Sequence, residues 1–313
     1  MTNIAGDIAQ TSTAKPSSGG RKRDSNLVFW VSVGWLVLVL AFVILGEANP
    51  LVQDPDLRNA DRIVAQPWIT NMFDVSCDDA ASGEDCTLIG GFMGNTSFGQ
   101  DVFSRVVIGG RLSIFVAVVV TAIGIGVGGL MGLLAGYLKG KVDIVVQMII
   151  NVTLSVPALL LVIFIVTVRG QSLFNVILAV SLLAIPALAR IVRASTLQVA
   201  DREFVKAAEV LGVRKRSILV REVLPNVMPT LVSFAFLTTG IILVVESSLS
   251  FLSLSVQPPS ITWGSIIATG RDKFNEAPHV VFAPAIVLFL TVLALNLVGD
   301  RLLKRYDIRE ASL

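Results

Sequence analysis

Apolar residues run through this chain in long stretches separated by short polar breaks. The stretches are too long for the core of a water-soluble domain. Leu27 to Gly46 carries no charge, and Val106 to about Tyr137, Ile144–Val168, Leu173–Ala189, Val227–Val245 and Val280–Val298 follow. Turns at Lys139-Gly140-Lys141 and Arg169-Gly170-Gln171 and a hydrophilic stretch over 190–225 divide them. Roughly 20 residues of helix cross a hydrocarbon layer about 30 Å thick. The pattern predicts an all-α integral membrane protein with six transmembrane helices. The run 27–46 reads as an uncleaved first helix, since it exceeds the roughly 7–15 apolar residues of a secretory leader and lacks a small-residue cleavage site.

Composition supports this reading. Apolar residues make up 54% and charged residues 15%, and the mean hydropathy is +0.77, which leaves too little polar surface to cover a soluble domain of 313 residues. The net charge of +2 matters less than its distribution. With the N-terminus inside, the inner segments 1–26, 138–143, 190–225 and 299–313 hold 18 of the 25 Lys and Arg. This excess predicts cytoplasmic termini and an even number of spans. The basic tail 1–26, ending in Arg21-Lys22-Arg23, is expected to be disordered. The segment 47–105 lies outside, 106–300 holds five further spans, and 301–313 is a cytoplasmic tail. Cys77 and Cys86 fall in the outer segment, where a disulfide between them is expected.

Several chemistries are not indicated. One histidine and two cysteines argue against a His- or Cys-built metal site. No G-x-x-x-x-G-K-[ST] phosphate loop and no H-E-x-x-H occur, so no catalytic residues, metal or ATP are assigned to this chain. No nucleic-acid partner is indicated.

Within the spans, Gly124, Gly128, Gly132 and Gly136 recur at steps of four. They form a side-chain-free groove suited to close helix packing, or to helices that slide. Asp143, Gln147, Asn151 and Ser155 repeat at the same step ahead of Pro157. Such a polar stripe either hydrogen-bonds to other helices or lines a path; Gln147, Asn151 and Ser155 are the candidate lining residues. Pro157, Pro186 and Pro229 are each expected to interrupt a span. Glu246, at the outer end of the fifth span, reads as a gate residue or an interfacial anion, the second preferred, and His279 as an outer-loop residue without chemistry.

The cytoplasmic loop 193–225 is the most informative segment. Phe204, Ala207, Ala208 and Leu211 fall at i, i+3, i+4 and i+7, predicting a short amphipathic helix over 201–212. Asp201 is expected to cap its start and Gly212 its end. A second helix is expected to run to Leu224-Pro225, where proline marks a boundary. Small alanines at the centre of a short cytoplasmic helix suit a knob entering a groove on another protein.

Lys206-Ala-Ala-Glu-Val-Leu-Gly212 with Val223-Leu-Pro225-Asn226 resembles the EAA-x3-G … I-x-L-P signature of binding-protein-dependent ABC transporter permeases. Two further stretches, Gly94 to Arg105 with Gly110-Arg111-Leu-Ser113, and Leu249-Ser-Phe-Leu252 through Val256-Gln-Pro-Pro259 and Trp263-Gly264 to Asn296-Leu-Val-Gly-Asp300, are similar to the dipeptide/oligopeptide/nickel group. The chain most resembles its "C"-type subunit. That resemblance implies a type I ABC importer permease in a bacterial inner membrane, importing di- or oligopeptides or, alternatively, nickel or another small solute. It also implies a homologous second permease, two ATPase subunits that bind ATP and Mg, an extracytoplasmic substrate-binding protein, and docking through Phe204, Ala207, Ala208, Glu209, Leu211 and Gly212, with Leu224 and Pro225 closing the loop. Lys206 stands where the signature has Glu, leaving Glu209 as the nearest carboxylate; Asn95, Thr96, Gln100, Ser253 and Ser255 also depart from the pattern. An ion-coupled secondary carrier would require a charge near the bilayer midplane and repeated halves, and neither is visible.

Overall fold

The computed structural model describes residues 26–46, 52, 93–96 and 98–310. Cys77, Cys86 and the basic N-terminal tail lie outside the described residues. Among those described, helices joined by short connections make up the structure, with one isolated bridge between Asn95 and Asp101.

The elements are α1 (Asn26–Leu45), α2 (Val102–Ile123), α3 (Gly129–Leu138), α4 (Gly140–Ser155), α5 (Ala158–Arg169), α6 (Leu173–Ala200), α7 (Glu203–Val210), α8 (Lys215–Ile218), α9 (Leu224–Phe251), α10 (Trp263–Arg271) and α11 (His279–Glu310). A π-turn at Gly124–Gly128 joins α2 to α3, and another at Leu219–Val223 joins α8 to α9. Side chains set several helix starts. Asp101 accepts from the Ser104 amide at 2.7 Å to open α2, and Ser172 accepts from Asn175 to open α6. At α10, Thr262 and Ser265 form a reciprocal capping box.

Five stretches are long and apolar enough to cross a membrane: Leu27–Leu45, Val102–Leu138, Leu173–Ala200, Lys215–Phe251 and His279–Arg305. The third expected span is not one straight helix. It is the pair α4 and α5, bent by 80° at Val156-Pro157; counted together as one broken span, the pair brings the number of crossings to six. Pro157 has no amide hydrogen to donate, and it pushes Val156 to an extended ψ of 129°.

Pro186 and Pro229, by contrast, lie inside continuous helices. Nor is 190–225 an open loop. Its first part is the inner end of α6, and its last part is helical from Lys215 onward, so that helix runs through Pro225. Charged residues end an apolar run without ending the helix that carries it.

Buried side chains form two cores. The outer one gathers Val39 and Val43 of α1, Val116 and Val120 of α2, Val176 and Val180 of α6, Leu243 and Leu249 of α9, and Trp263 and Ile266 of α10. The inner one holds Leu133 and Tyr137 of α3, Val192 and Val199 of α6, Val205 of α7, and Ile218, Val223 and Val227 of the 215–251 rod.

The glycine stripe explains how α3 and α6 come so close. A methyl group at Gly128 would lie 2.3 Å from the Ile185 carbonyl oxygen, and one at Gly132 would lie 2.4 Å from that of Ala189. Gly124 faces Leu188 and Ala184, and Gly136 faces Thr196. Backbone meets backbone along this line, which is packing and leaves no room for a side chain to pass.

Candidate functional site

The cytoplasmic helix is shorter than 201–212 and is held at its ends differently from the expectation. α7 runs from Glu203 to Val210, and Arg202 stands at its N-cap without a side-chain bond. Asp201 does not cap it. Its carboxylate accepts from Lys139 at 3.0 Å, and that bond holds the Asp201 carboxyl below its ordinary range.

The far end follows the expectation. Gly212 has φ +74°, its amide donates to Glu209, and the Val213 amide donates to Ala208, which together make a Schellman closure. Few residues other than glycine adopt that backbone cheaply.

The faces of α7 divide the candidates. Val205 is fully buried in the inner core, with Ala208 packed against it in part. Phe204, Ala207, Glu209, Leu211 and Gly212 are exposed, and so is Val210, at 88%. The sequence pattern grouped Ala208 with the outward face and missed both Val205, the inward anchor, and Val210. Apolar residues occur on both sides of this helix, so periodicity alone could not say which side is free. Leu224 is half-buried and Pro225 exposed at the start of α9.

Two contacts join α7 to the body. The Tyr137 hydroxyl lies 3.4 Å from Glu209 Oε1, and Lys139 at the end of α3 holds Asp201. Glu209 thus faces α3, at the edge of the exposed surface.

The polar stripe on α4 meets arginines of α6. Arg193 makes a two-pronged pair with Asp143, at 2.5 and 2.7 Å. With its amide oxygen turned toward the guanidinium, Gln147 also accepts from Arg193. Asn151 accepts from Arg190 at 3.1 Å. Ser155 donates to its own turn, at the Val152 carbonyl. Gln147 and Asn151 therefore make interhelical bonds, while Asn151 and Ser155 also stay exposed beside the break at Pro157.

On the outer side two residues differ from the reading. Glu246 is no interfacial anion: it is fully buried. Ser113, Ser250 and Ser255 donate to its carboxylate at 3.0, 2.7 and 3.4 Å. His279 opens α11 and lies 3.0 Å from the Asn95 carbonyl oxygen, tying the segment before α2 to the last span.

The sequence profile of the binding-protein-dependent transport system inner membrane components matches residues 128–311. The glutathione transport system permease protein GsiD of Pectobacterium atrosepticum is 37% identical over 216 residues, covering 69% of this chain and 72% of that protein. GsiD of Escherichia coli is 40% identical over 216 residues, covering 69% and 71%. Two crystal forms of the inward-facing MetNI methionine ABC transporter superpose with TM-scores of 0.55 and 0.56 at 19% identity. They cover 64% and 65% of this chain and 96% and 97% of theirs, which is a likeness of fold.

Proposed function

The chain belongs to the binding-protein-dependent transport system inner membrane components, and on that premise we propose that it is the peptide-conducting permease subunit of an ATP-driven importer. A second, related permease completes the path. Two ATPase subunits supply the energy by binding ATP and Mg, and an extracytoplasmic binding protein delivers the cargo. The relatives are named for glutathione, itself a short peptide, and this supports short peptides as the cargo.

One observation carries the coupling assignment. α7 buries Val205 against the body and presents Phe204, Ala207, Val210 and Leu211 outward beside a glycine-closed end. An exposed apolar face on the basic, cytoplasmic side is costly in water unless a protein covers it. Its width of a few side chains fits a cleft on an ATPase. ATP-driven closure of the ATPase pair would then pull α7 and the helices attached to it.

The broken span α4–α5 is the face we assign to the second permease and the path. Only Ile150, Val162 and Val166 of that span are buried within the chain. The uncovered surface carries Asn151 and Ser155, polar groups that favour a water-filled path or a protein partner over lipid. Leu27, Trp30, Val31 and Ile44 of α1 make an apolar surface suited to lipid.

Reconstitution of the complex in proteoliposomes tests this reading. ATP-dependent uptake of glutathione or a dipeptide is expected to persist when the proton gradient is collapsed and to stop when ATP is withheld. The double substitution Ala207→Trp, Gly212→Val is expected to reduce uptake to background with the subunit still present in the membrane. Normal uptake in that variant would refute the docking role of α7. Uptake that followed the proton gradient would point to a secondary carrier.

A further inference from the structure

The importer mechanism uses α7 and the path and leaves one buried ionisable group without a task. Glu246 lies near the outer end of α9, fully buried. The three hydroxyls around it come from different parts of the chain: Ser113 from α2, Ser250 from α9 itself, and Ser255 from the connection to α10. Two of them are also acceptors. The Trp263 amide donates to Ser113 at 3.2 Å, and Thr262 donates to Ser250 at 2.9 Å. Thr262 in turn accepts from the Ser265 amide at 3.2 Å.

Two chains of donors therefore start at backbone amides in the first turn of α10 and end on the carboxylate. Ser113 and Ser250 each accept one of these bonds and donate their own proton to Glu246. Among the described residues no ion pair involves this carboxylate. Packing reinforces the join. A methyl at Gly264 would lie 2.2 Å from the Ser247 carbonyl oxygen, and one at Gly110 would lie 3.0 Å from the Trp263 ring. Trp263 Nε1 donates to the Val106 carbonyl at 2.8 Å.

We propose that Glu246 is a positioning residue that ties the outer helix α10 to α9 and α2, so that motion imposed on the cytoplasmic loop reaches the outer mouth. α9 supplies the link, since helical backbone is continuous from Lys215, just after α7, to Phe251 beyond Glu246. α10 does not move separately; it travels as the head of that rod. This inference rests on the importer reading for its purpose, though the clamp itself stands on geometry.

The test uses the assembled complex in proteoliposomes, with Cys77 and Cys86 replaced by serine and a spin label at Asp272→Cys, an exposed site at the end of α10. In the parent protein the label should report a helix held to the body. Glu246→Leu leaves the hydroxyls without their acceptor. It should raise label mobility and lower ATP-dependent uptake by about tenfold or more, comparable to the loss of one or two buried hydrogen bonds. ATP hydrolysis without binding protein should persist, and the extra hydrolysis evoked by loaded binding protein should fall. Glu246→Gln keeps an acceptor oxygen and should restore much of both.

A label as immobile in Glu246→Leu as in the parent overturns the clamp, and so does a mobile label with full uptake. If Glu246→Leu fails to accumulate, Ser113→Ala and Ser250→Ala each remove one donor. Raised mobility in both upholds the proposal, and unchanged mobility in both overturns it. A parent complex that hydrolyses ATP but takes up no peptide would defeat the cargo assignment instead, with label mobility still deciding the clamp.

Discussion

Gly126 and Gly128 share one π-turn and differ in what stands opposite them. A methyl at Gly126 meets nothing within 4 Å, whereas at Gly128 it would press on the carbonyl of Ile185. Gly126→Ala should therefore leave thermal stability unchanged or raise it by up to about 1 kcal/mol. Gly128→Ala should lower it by about 1–3 kcal/mol, because a helix backbone cannot rotate aside as a side chain can. Tryptophan-fluorescence melting of detergent-solubilised protein separates the two. The stripe was legible from its spacing, since repeats of four fall on one helix face whatever the fold. Its partner was not, because nothing in the residues of α6 marks Ile185 and Ala189 as the backbone that comes close. The same limit hid the pairing of Asp143 with Arg193, which the sequence placed in separate inner segments, 138–143 and 190–225. Both side chains are about three-quarters buried. Asp143→Ala should cost about 1–2 kcal/mol. Arg193→Ala in the same chain should add less than its separate effect, and a double-mutant melting cycle measures that coupling.

Between neighbouring elements, the break at Pro157 and the end of α7 matter most. Replacing Pro157 with alanine restores an amide donor and frees Val156 from its extended conformation. The 80° bend should then relax toward a straight helix. Spin labels at Val145 and Val168, both exposed, would move apart toward about 35 Å, the rise of an unbroken helix over that stretch. An unchanged distance would mean that packing on α6 sets the bend. Gly212→Ala forces a side chain into φ +74° at a cost of about 1–2 kcal/mol. Hydrogen exchange over 207–213 should quicken accordingly. The closing glycine of α7 could be read from sequence because its φ follows from local chemistry. Asp201 could not, because its carboxylate has a choice between the helix start and Lys139, and only the fold brings Lys139 near. Helix lengths were misjudged for a related reason: hydropathy reports where the bilayer ends, and the helices of α6 and α9 extend past that limit.

At the scale of the molecule, the apolar spans and the family were legible because bilayer thickness imposes length on every crossing and the loop motifs recur in order. The division into two cores was not, since the long spans are apolar throughout and only their contacts divide them. That division predicts separable effects. Val223→Ala removes buried atoms from the inner core beneath α7, with an expected cost of about 1–3 kcal/mol. It should speed exchange in α7 and leave α10 unaffected, as hydrogen exchange resolved by mass spectrometry can show. Helical backbone unbroken over the 37 residues Lys215–Phe251 also has a physical consequence. At 1.5 Å per residue it is about 55 Å long, against a hydrocarbon layer of about 30 Å. The excess is not hydrophobic mismatch, because Lys215, Arg216, Arg221 and Glu222 place the inner end of the rod beyond the apolar layer. One unbroken rod therefore carries its charged end, beside α7, well outside the layer that its other end crosses.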